Sequence, residues 1–467
     1  MSDTNDQIEE TIDAVEGEAD TYMLERKTIA AILYAVDAGD QAALTGLMEP
    51  LHAADIADLL EQLNTYDRRR LIELYGHEFD GDILSELEEG VREEVIALLR
   101  PDVLADAVRE LDSDDVVDLL EDLDEPQQEA ILGALEEPDR VAVEQALTYP
   151  EYSAGRLMQR EVVAAPEHWT VGDAIDFLRS HEDLPDQFYH VVLVDPRMHP
   201  VGNVTLGKIM RSRRDVRLQE ITEDIFKVIP VDQYEGDVAY AFNQYHLISA
   251  PVVDDDGRLV GQITIDDAMA VLDEEHEEDI LRMAGVSEES SLSDTIIEAA
   301  KGRATWLFVN LLTAILASFV IELFATSIDQ MVALAVLMPI VASMGGNAGT
   351  QTMTVAVRAI ATRDLTAQNA LRVVWREVAV GAINGLLFGL IMALVAGLWF
   401  GVPMLSAVIG LAMICTQISA ALGGIVIPMA LDRVKIDPAL ASGPFVTTVT
   451  DVVGFFAFLG LASAVLL

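Results

Sequence analysis

Residues 443–460 read GPFVTTVTDVVGFFAFLG, an apolar and hydroxylic run with a single carboxylate, Asp451. About 20 such residues are enough to cross a bilayer as a helix. Thr447 and Thr448 precede Asp451 by one helical turn, so the three side chains share one face. A carboxylate inside a membrane span is costly unless water or a cation meets it, and by default it marks a functional site. The stretch therefore predicts a membrane helix that carries an ion-facing site.

Four more apolar stretches precede this one, and together they predict a membrane domain of five helices over 304–467. The predicted spans are 304–324, 331–358, 377–400, 404–430 and 442–467. Lysine and arginine occur before the first span, between the second and third, and between the fourth and fifth, but not in the other two connections. Positively charged loops stay in the cytoplasm. The pattern predicts a multi-pass protein of the cell membrane, with a cytoplasmic N-terminal part and the C-terminus outside.

The second span, MPIVASMGGNAGTQTMTVAVR at 338–358, contains helix-breaking and amide residues at bilayer depth. Irregular or polar features at that depth are tolerated only inside protein or along a wet cavity. The residues predicted to line an ion path are Gly346, Asn347, Thr447, Thr448 and Asp451. For Gly345 and Gly349, close helix packing is an equally good interpretation.

Asp451 has two interpretations, a buried ion pair or contact with water and a cation. From residue 301 onward the chain has seven acidic and eight basic residues, and every lysine or arginine lies in a predicted cytoplasmic loop. The cation-facing interpretation is therefore favoured. Asp437, followed by Pro438, is predicted to be the N-cap of the fifth span.

Residues 1–300 hold 72 of the 79 acidic residues and 21 of the 29 basic ones. This excess excludes nucleic acid as a partner and makes repulsion between carboxylates available as a driving force. The sequence shows no phosphate-cradling loop, no cluster of cysteine and histidine, and no nucleophile–base pair, so we expect no enzyme. The acidic segment 1–23 is predicted to be a disordered tail.

Residues 24–148 are predicted to be helical throughout and to form a superhelical N-domain. DLLEQLNTYDRRRLIELY at 58–75 recurs as DLLEDLDEPQQEAILGAL at 118–135, an offset of 60 residues. Short helices with leucine pairs and polar turns, repeated along the chain, indicate stacked helix pairs.

Two strand–turn–strand–helix units follow, over 149–272. VVLVDPRMHPVGNVTLGKIM at 191–210 matches SAPVVDDDGRLVGQITIDDAM at 249–269, with an offset of 59 residues between equivalent positions. Apolar stretches around the DPRM and DDDG turns predict hairpins. This tandem resembles a pair of CBS domains, which implies ATP or another adenine nucleotide as a candidate ligand. Thr264 and Asp267 match the ribose-contacting positions, although Asp267 also has the position of a helix cap.

The segment 266–303 joins the tandem unit to the first span and is predicted to be mostly helical. Its acidic face carries Asp273, Glu274, Glu275, Glu277, Glu278 and Asp279. Carboxylate oxygens are the ligands that Mg2+ prefers, which favours a sensor of divalent cations. The alternative is that these acids only keep a protein of a salt-rich cytoplasm soluble.

The order of these parts, with PIVASMGGNAGTQ at 339–351 and DPALASGPFVTTVTD at 437–451, resembles the MgtE family of magnesium channels. The resemblance covers about 24–467. It implies a homodimer with the pore on the twofold axis, where Asp451 faces hydrated Mg2+. It also implies that the connecting helix acts as a plug, whose position depends on Mg2+ bound between the cytosolic domains.

The residues that match the family's acidic plug and sensor positions are Asp267, Glu275, Glu278 and Asp279. Two positions depart from the family pattern. Ala270 stands where an aspartate is usual, and His246 stands where an acidic residue is usual. Some cytosolic Mg2+ sites are therefore expected to be missing or rearranged.

These features together predict a multi-domain membrane protein: an α-helical superhelical N-domain, α/β tandem CBS domains, a connecting plug helix and a five-helix transmembrane domain. The expected boundaries are 1–23, 24–148, 149–272, 266–303 and 304–467. The predicted function is a Mg2+-selective channel or transporter, gated by cytosolic Mg2+. The alternatives are a transporter of another divalent cation, such as Co2+ or Mn2+, and a membrane-anchored adenine-nucleotide sensor without transport.

Overall fold

The computed structural model describes residues 24–466, except 78, 122, 124, 182, 183, 186 and 288–295. The predicted tail at 1–23 lies outside the described residues. The described chain forms two compact units, the first ending at Asp273 and the second beginning at Glu274. The first unit contains the helical N-domain and the tandem α/β domains, and the second contains the membrane helices.

Short helices pack around a single apolar core in the N-terminal part of the first unit. They are α1 Arg26–Ala38, α2 Gln41–Met48, α3 Ala53–Gln62, α4 Thr65–Tyr75, α5 Asp82–Ser85, α6 Glu89–Leu98, α7 Pro101–Glu110, α8 Ser113–Glu121, α9 Glu125–Leu132 and α10 Glu137–Ala146. Gly39, in the left-handed conformation at φ 66°, ends α1. The Asn64 side chain accepts hydrogen bonds from the first N–H groups of α4. The helical N-domain predicted from the sequence is confirmed.

The 60-residue repeat of the sequence is visible in the side chains that close the helix ends. Arg68 donates to the backbone carbonyls five and eight residues before it, at 2.9 and 2.8 Å. Gln128, the equivalent residue of the second copy, donates to the carbonyls at the same two spacings, at 2.9 and 2.8 Å. Each copy thus uses one long side chain to pair carbonyls that the end of a helix leaves without intrahelical partners.

Two three-stranded sheets of the same topology form the tandem α/β domains. The strands are β1 Ala164–Pro166, β2 His190–Val194 and β3 Pro200–Thr205 in the first sheet, and β4 Ile229–Pro230, β5 Ser249–Val253 and β6 Leu259–Thr264 in the second. In each sheet the first strand runs parallel and the third antiparallel to the central strand. The central pair has an irregularity after Leu193 in the first sheet and after Val252 in the second. The 59-residue offset of the sequence therefore relates the second and third strands of the two sheets.

Helices cover the two sheets, and each domain has its own apolar core. The helices are α11 Ala154–Leu157, α12 Val171–Ser180, α13 Leu206–Arg211, α14 Glu235–Tyr245 and α15 Ile265–Ala284. Helix α15 begins directly after β6 and corresponds to the predicted connecting helix. Between strands, Met198 at φ 67° and Gly257 at φ 79° hold equivalent turn positions. Asp195 supports the less favourable methionine by accepting hydrogen bonds from the N–H groups of Arg197 and His199, at 2.8 and 2.9 Å.

Long helices form the second unit from residue 296 onward. They are α16 Ile296–Glu322, α18 Ala333–Ala361, α19 Ala370–Phe400, α20 Pro403–Arg433 and α21 Pro438–Val465, with the short α17 Ala325–Gln330 after the first. Among the described helices, five contain segments long and apolar enough to cross a membrane: Ala299–Glu322, Ala333–Ala361, Ala370–Phe400, Pro403–Arg433 and Gly443–Val465. The predicted five-helix architecture is confirmed.

Helices α19 and α20 approach each other closely along a line of glycines. A Cβ added at Gly389 would lie 2.7 Å from the carbonyl oxygen of Gly410, and one added at Gly385 would lie 2.9 Å from the Cα of Ile414. Small residues let membrane helices come into backbone contact, where van der Waals packing holds them together. Helices α18 and α21 in turn pack against α20.

Candidate functional site

Two glycines let α18 pack closely on its neighbours: Gly345 meets Thr416 of α20 and, less closely, Thr450 of α21, and Gly349 meets Val446 of α21. A Cβ added at Gly345 would lie 2.6 Å from Cγ2 of Thr416 and 3.5 Å from Cβ of Thr450. One added at Gly349 would lie 2.7 Å from Cγ1 of Val446. These contacts leave no space for a larger side chain, so close packing accounts for both glycines. We call this contact line the α18–α21 seam.

The predicted path residues lie beside the α18–α21 seam. The two helices run antiparallel there, so Gly346 and Asn347 are at about the same depth as Thr447, Thr448 and Asp451. Asn347 and Thr447 are exposed, whereas Thr448 and Asp451 are half-buried. A Cβ added at Gly346 would meet nothing within 4 Å. The five residues therefore border an open surface of the protomer and not its packed interior.

Asp451 lies on a stripe of α21 that is open at one end. Thr447 is exposed, Asp451 is half-buried, and Gly454 and Phe458, further along the same face, are buried. Among the described residues, none forms an ion pair or a side-chain hydrogen bond with Asp451. The hydroxyls of Thr447 and Thr448 donate to carbonyls four residues earlier, at 3.0 and 2.6 Å. Their oxygen lone pairs, and not their hydrogens, are therefore left for an ion or its water.

Two polar residues of α20 lie inside the membrane unit. Gln417 is 2% exposed, and its Nε2 donates to the carbonyl of Met344 on α18 at 3.2 Å. Thr416 is fully buried, and its Oγ1 has no hydrogen-bond partner among the described residues. A polar residue in a span thus need not belong to the ion path, because Gln417 serves to join two helices.

The second unit also contains the predicted sensor residues Glu275, Glu278 and Asp279. Glu278 pairs with Arg282 on the same helix, at 2.9 Å between Oε2 and Nη2. Burial, and then the charges of Asp437 and Glu275, raises the pKa of Asp279 to about 6. The charges of Asp437 and Glu275 act on Asp279, so these three carboxylates lie near one another at this end of α15.

Asp437 has two partners at the start of α21. Its Oδ1 accepts a hydrogen bond from the N–H of Ala439 at 2.7 Å, as the predicted N-cap should. Its Oδ2 accepts a second bond from Nη1 of Arg282 at 2.8 Å. Sequence reasoning found the cap but missed the ion pair, because 155 residues separate the two side chains.

Asp267 belongs to the first unit, and its carboxylate is bonded by Thr264. Its Oδ2 accepts hydrogen bonds from the N–H and the hydroxyl of Thr264, at 3.2 and 2.6 Å. Burial and the charges of neighbouring aspartates raise the pKa of Asp267 to about 6, against the opposing effect of these two bonds. The two residues predicted to contact a nucleotide therefore contact each other.

Aspartates of α8 and of the turn before it lie close to Asp267. Burial, followed by the charge of Asp267, raises the pKa of Asp115 to about 7. The same two causes raise the pKa of Asp114, which is 8% exposed, well above its usual range. Asp112 adds to both effects. The sequence LDSDDVVD reads only as a helix start, so its position near Asp267 could not be predicted.

The predicted regulatory residues do not form a closed metal cage. Within the part of the chain that the structure describes, no three His, Cys, Asp or Glu side chains are close enough to hold one metal ion. The aspartates near Asp267 repel one another without converging on a point. Mg2+ retains several waters, so one or two carboxylates with bridging water are enough to bind it.

Comparison with known protein families gives matches along most of the chain. A family model described as a divalent cation transporter, MgtE, matches residues 338–461. The MgtE intracellular N domain matches 51–152, and the CBS domain matches 154–215 and 218–274. The predicted helical N-domain and tandem CBS domains are therefore both confirmed.

Similar proteins are magnesium transporters. The "Magnesium transporter MgtE" of Enterococcus faecalis is 33% identical over 315 residues, which are 68% of this chain and 69% of the relative. That of Thermus thermophilus is 32% identical over 324 residues, 68% of this chain and 71% of the relative. A crystal structure of the cytosolic domain of the Mg2+ channel MgtE in complex with ATP is 28% identical, and the match covers 52% of this chain and 99% of that one, with a TM-score of 0.48.

Proposed function

The chain belongs to the MgtE family of divalent cation transporters, and from this premise we propose that it conducts Mg2+ across the cell membrane along a path bordered by Asp451. The observation that carries this proposal is the state of Asp451: a half-buried carboxylate in a membrane helix, with no ion pair or side-chain hydrogen bond among the described residues. A carboxylate in that place needs a cation or water to compensate its charge.

The environment of Asp451 suits a hydrated divalent cation. Mg2+ loses its water reluctantly, so a path can hold the hydrated ion by outer-sphere contacts. The lone pairs of Thr447 and Thr448, the amide of Asn347 and the open space at Gly346 offer such contacts beside the carboxylate. A cation without its water would require a closed cage of oxygen ligands, and these residues do not form one.

We further propose that two copies of the chain share one path. A half-exposed carboxylate would be costly against lipid, so a second copy of the α18–α21 seam is the natural cover for it. Two Asp451 side chains bring about two negative charges, which match one divalent cation.

The arginine-bearing loops support a cytoplasmic N-terminal part and an outside C-terminus.

For regulation, we propose that cytosolic Mg2+ closes the path by binding to the crowded carboxylates. Within the first unit, burial and the charges of neighbouring aspartates raise the pKa of Asp115 and Asp267, and within the second unit burial and the charges of Asp437 and Glu275 raise that of Asp279. A divalent cation can bridge carboxylates, and so relieve their repulsion, only in a compact state that holds them close together. Ligand binding to the compact state would therefore shift the population towards it.

An adenine nucleotide is a further candidate ligand of the tandem CBS domains. The match to the CBS family model and the Thr264–Asp267 pattern support it. Binding would require Asp267 to exchange its bonds from Thr264 for a ribose hydroxyl. Titration of ATP into the purified protein, compared with Thr264→Ala, tests this assignment by the change in dissociation constant.

The test of the proposed function is ion flux into liposomes that contain the purified protein. We expect Mg2+ uptake that falls when Mg2+ is present at the cytosolic side. Preferential uptake of Co2+ or Mn2+ in competition with Mg2+ would support the transporter of another divalent cation. Nucleotide binding without any flux would support the sensor and overturn the proposal.

A further inference from the structure

Arg282 bridges two carboxylates from different helices of the second unit. Its Nη2 lies 2.9 Å from Oε2 of Glu278, one turn earlier on α15, and its Nη1 lies 2.8 Å from Oδ2 of Asp437 at the start of α21. The three side chains are 21%, 26% and 29% exposed, respectively. Partly buried charge-assisted bonds of this length are stronger than the surface ion pairs that contribute little.

The bridge connects the end of α15 to the helix that carries Asp451. Asp437 uses its other oxygen to cap α21, so its position is fixed relative to that helix. Next to the bridge, Met283 packs against an apolar cluster that includes Met353, Ala439 and Val446. The guanidinium and the methionine together hold the last turn of α15 on the ends of α18 and α21.

Without the guanidinium, this contact would be unfavourable. Glu275, Glu278, Asp279 and Asp437 bring four carboxylates to one end of α15, and the charge of Asp437 is felt at Asp279. Arg282, which pairs with Glu278 and Asp437, opposes that effect, and the exposed His276 opposes it more weakly. A cation attached to the chain thus compensates acids that would otherwise push α15 away from α21.

We propose that Arg282 is a tethered cation that holds α15 on α21 without metal, and that it thereby sets the Mg2+ concentration at which the path closes. This inference rests on the proposed function. Because the guanidinium is always protonated and present at full occupancy, it favours the docked helix even when Mg2+ is scarce. Added Mg2+ then has to supply only the remaining part of the closing free energy.

The experiment measures Mg2+ flux in proteoliposomes as a function of cytosolic Mg2+ for four variants and one control. Arg282→Gln removes the charge, and we expect the half-closing Mg2+ concentration to rise about tenfold. Asp437→Asn keeps a capping oxygen and should give a smaller rise, because it breaks only one of the two pairs of Arg282 and removes one of the repelling carboxylates. The double variant should shift no further than Arg282→Gln alone, because that single variant already breaks the Arg282–Asp437 pair. Arg282→Lys should retain part of the effect.

The matched control is Arg433→Gln, which removes an exposed arginine at the end of α20, four residues before Asp437. It should leave the half-closing concentration unchanged. An unchanged or lowered value in Arg282→Gln, or additive shifts in the double variant, would overturn the inference while wild-type flux persists. Absence of Mg2+ flux in the wild type would instead overturn the proposed function. Size-exclusion profiles of every variant verify that each one is folded.

Discussion

Asp451 and Asp267 are both partly hidden carboxylates, but their surroundings differ in kind. Asp451 lies in an apolar helix, has no ion pair or side-chain hydrogen bond among the described residues and faces an open stripe. Asp267 lies in the very acidic first unit, bonded to Thr264 and close to other aspartates. One carboxylate is isolated and the other is crowded. The isolated one is suited to meet a passing ion, whereas the crowded one is suited to report whether an ion is bound.

The largest effect should come from the isolated carboxylate. Asp451→Asn keeps the shape of the side chain but removes the charge that compensates a divalent cation. We expect Mg2+ flux to fall by more than about a hundredfold, because a charged group inside a pore dominates its selectivity and conduction. Liposome flux measures the loss, and Asp432→Asn, at an exposed position near the end of α20, is the control. Near-normal flux in Asp451→Asn would show that Asp451 does not act on the conducted ion, and the contrast with Asp267 would be lost.

A smaller effect is expected at the crowded carboxylates. The double variant Asp115→Asn with Asp267→Asn should leave maximal flux unchanged and raise the half-closing Mg2+ concentration about tenfold. The amide at 267 can still accept the bonds from Thr264, so the change concerns charge and not the helix cap. Asp232→Asn, at an exposed site of the same unit, serves as the control. A fall in maximal flux with an unchanged half-closing Mg2+ concentration would show that the crowded carboxylates do not sense Mg2+.

The smallest effect concerns pH. The pKa values of Asp115 and Asp267, about 7 and about 6, exceed the unfolded value of 3.8. Between about pH 4 and 7 the folded protein therefore binds more protons than the unfolded chain, so its stability rises as pH falls. In the absence of Mg2+, the apparent melting temperature should increase by about 2–4 °C between pH 7.5 and 5.5.

Thermal unfolding in detergent measures this slope, and the double variant at residues 115 and 267 should flatten it. Mg2+ should stabilise the protein less at pH 5.5 than at pH 7.5, because protons and metal compete for the same oxygens. A melting temperature that decreases when the pH is lowered from 7.5 to 5.5 would contradict the crowding of these carboxylates.

Much of the architecture could be predicted from the sequence because it depends on local patterns. Long apolar runs located the five spans, and the offsets of 59 and 60 residues located the repeated units. Asp451 was identifiable because a carboxylate in an apolar run has few explanations. Each of these inferences needs only neighbouring residues or a comparison of two stretches.

The rest depends on contacts between distant parts of the chain. Nothing in LDSDDVVD distinguishes Asp114 and Asp115 from the other acids of the first unit until the fold brings them near Asp267. Arg282 is likewise an ordinary helical arginine until Asp437 is placed beside it. In an acidic chain, burial and spacing decide which carboxylates matter, and neither can be read from composition.

The claim that two copies of Asp451 hold one hydrated divalent cation can be tested by anomalous scattering. Crystals of the full chain with Mn2+, which shares the preference of Mg2+ for carboxylate and water, locate the ion directly. We predict a peak on the twofold axis between the two Asp451 side chains, separated from each by a shell of water and absent in Asp451→Asn. A dimer whose Asp451 side chains face away from the axis, or an axis without a peak at saturating Mn2+, would contradict the account.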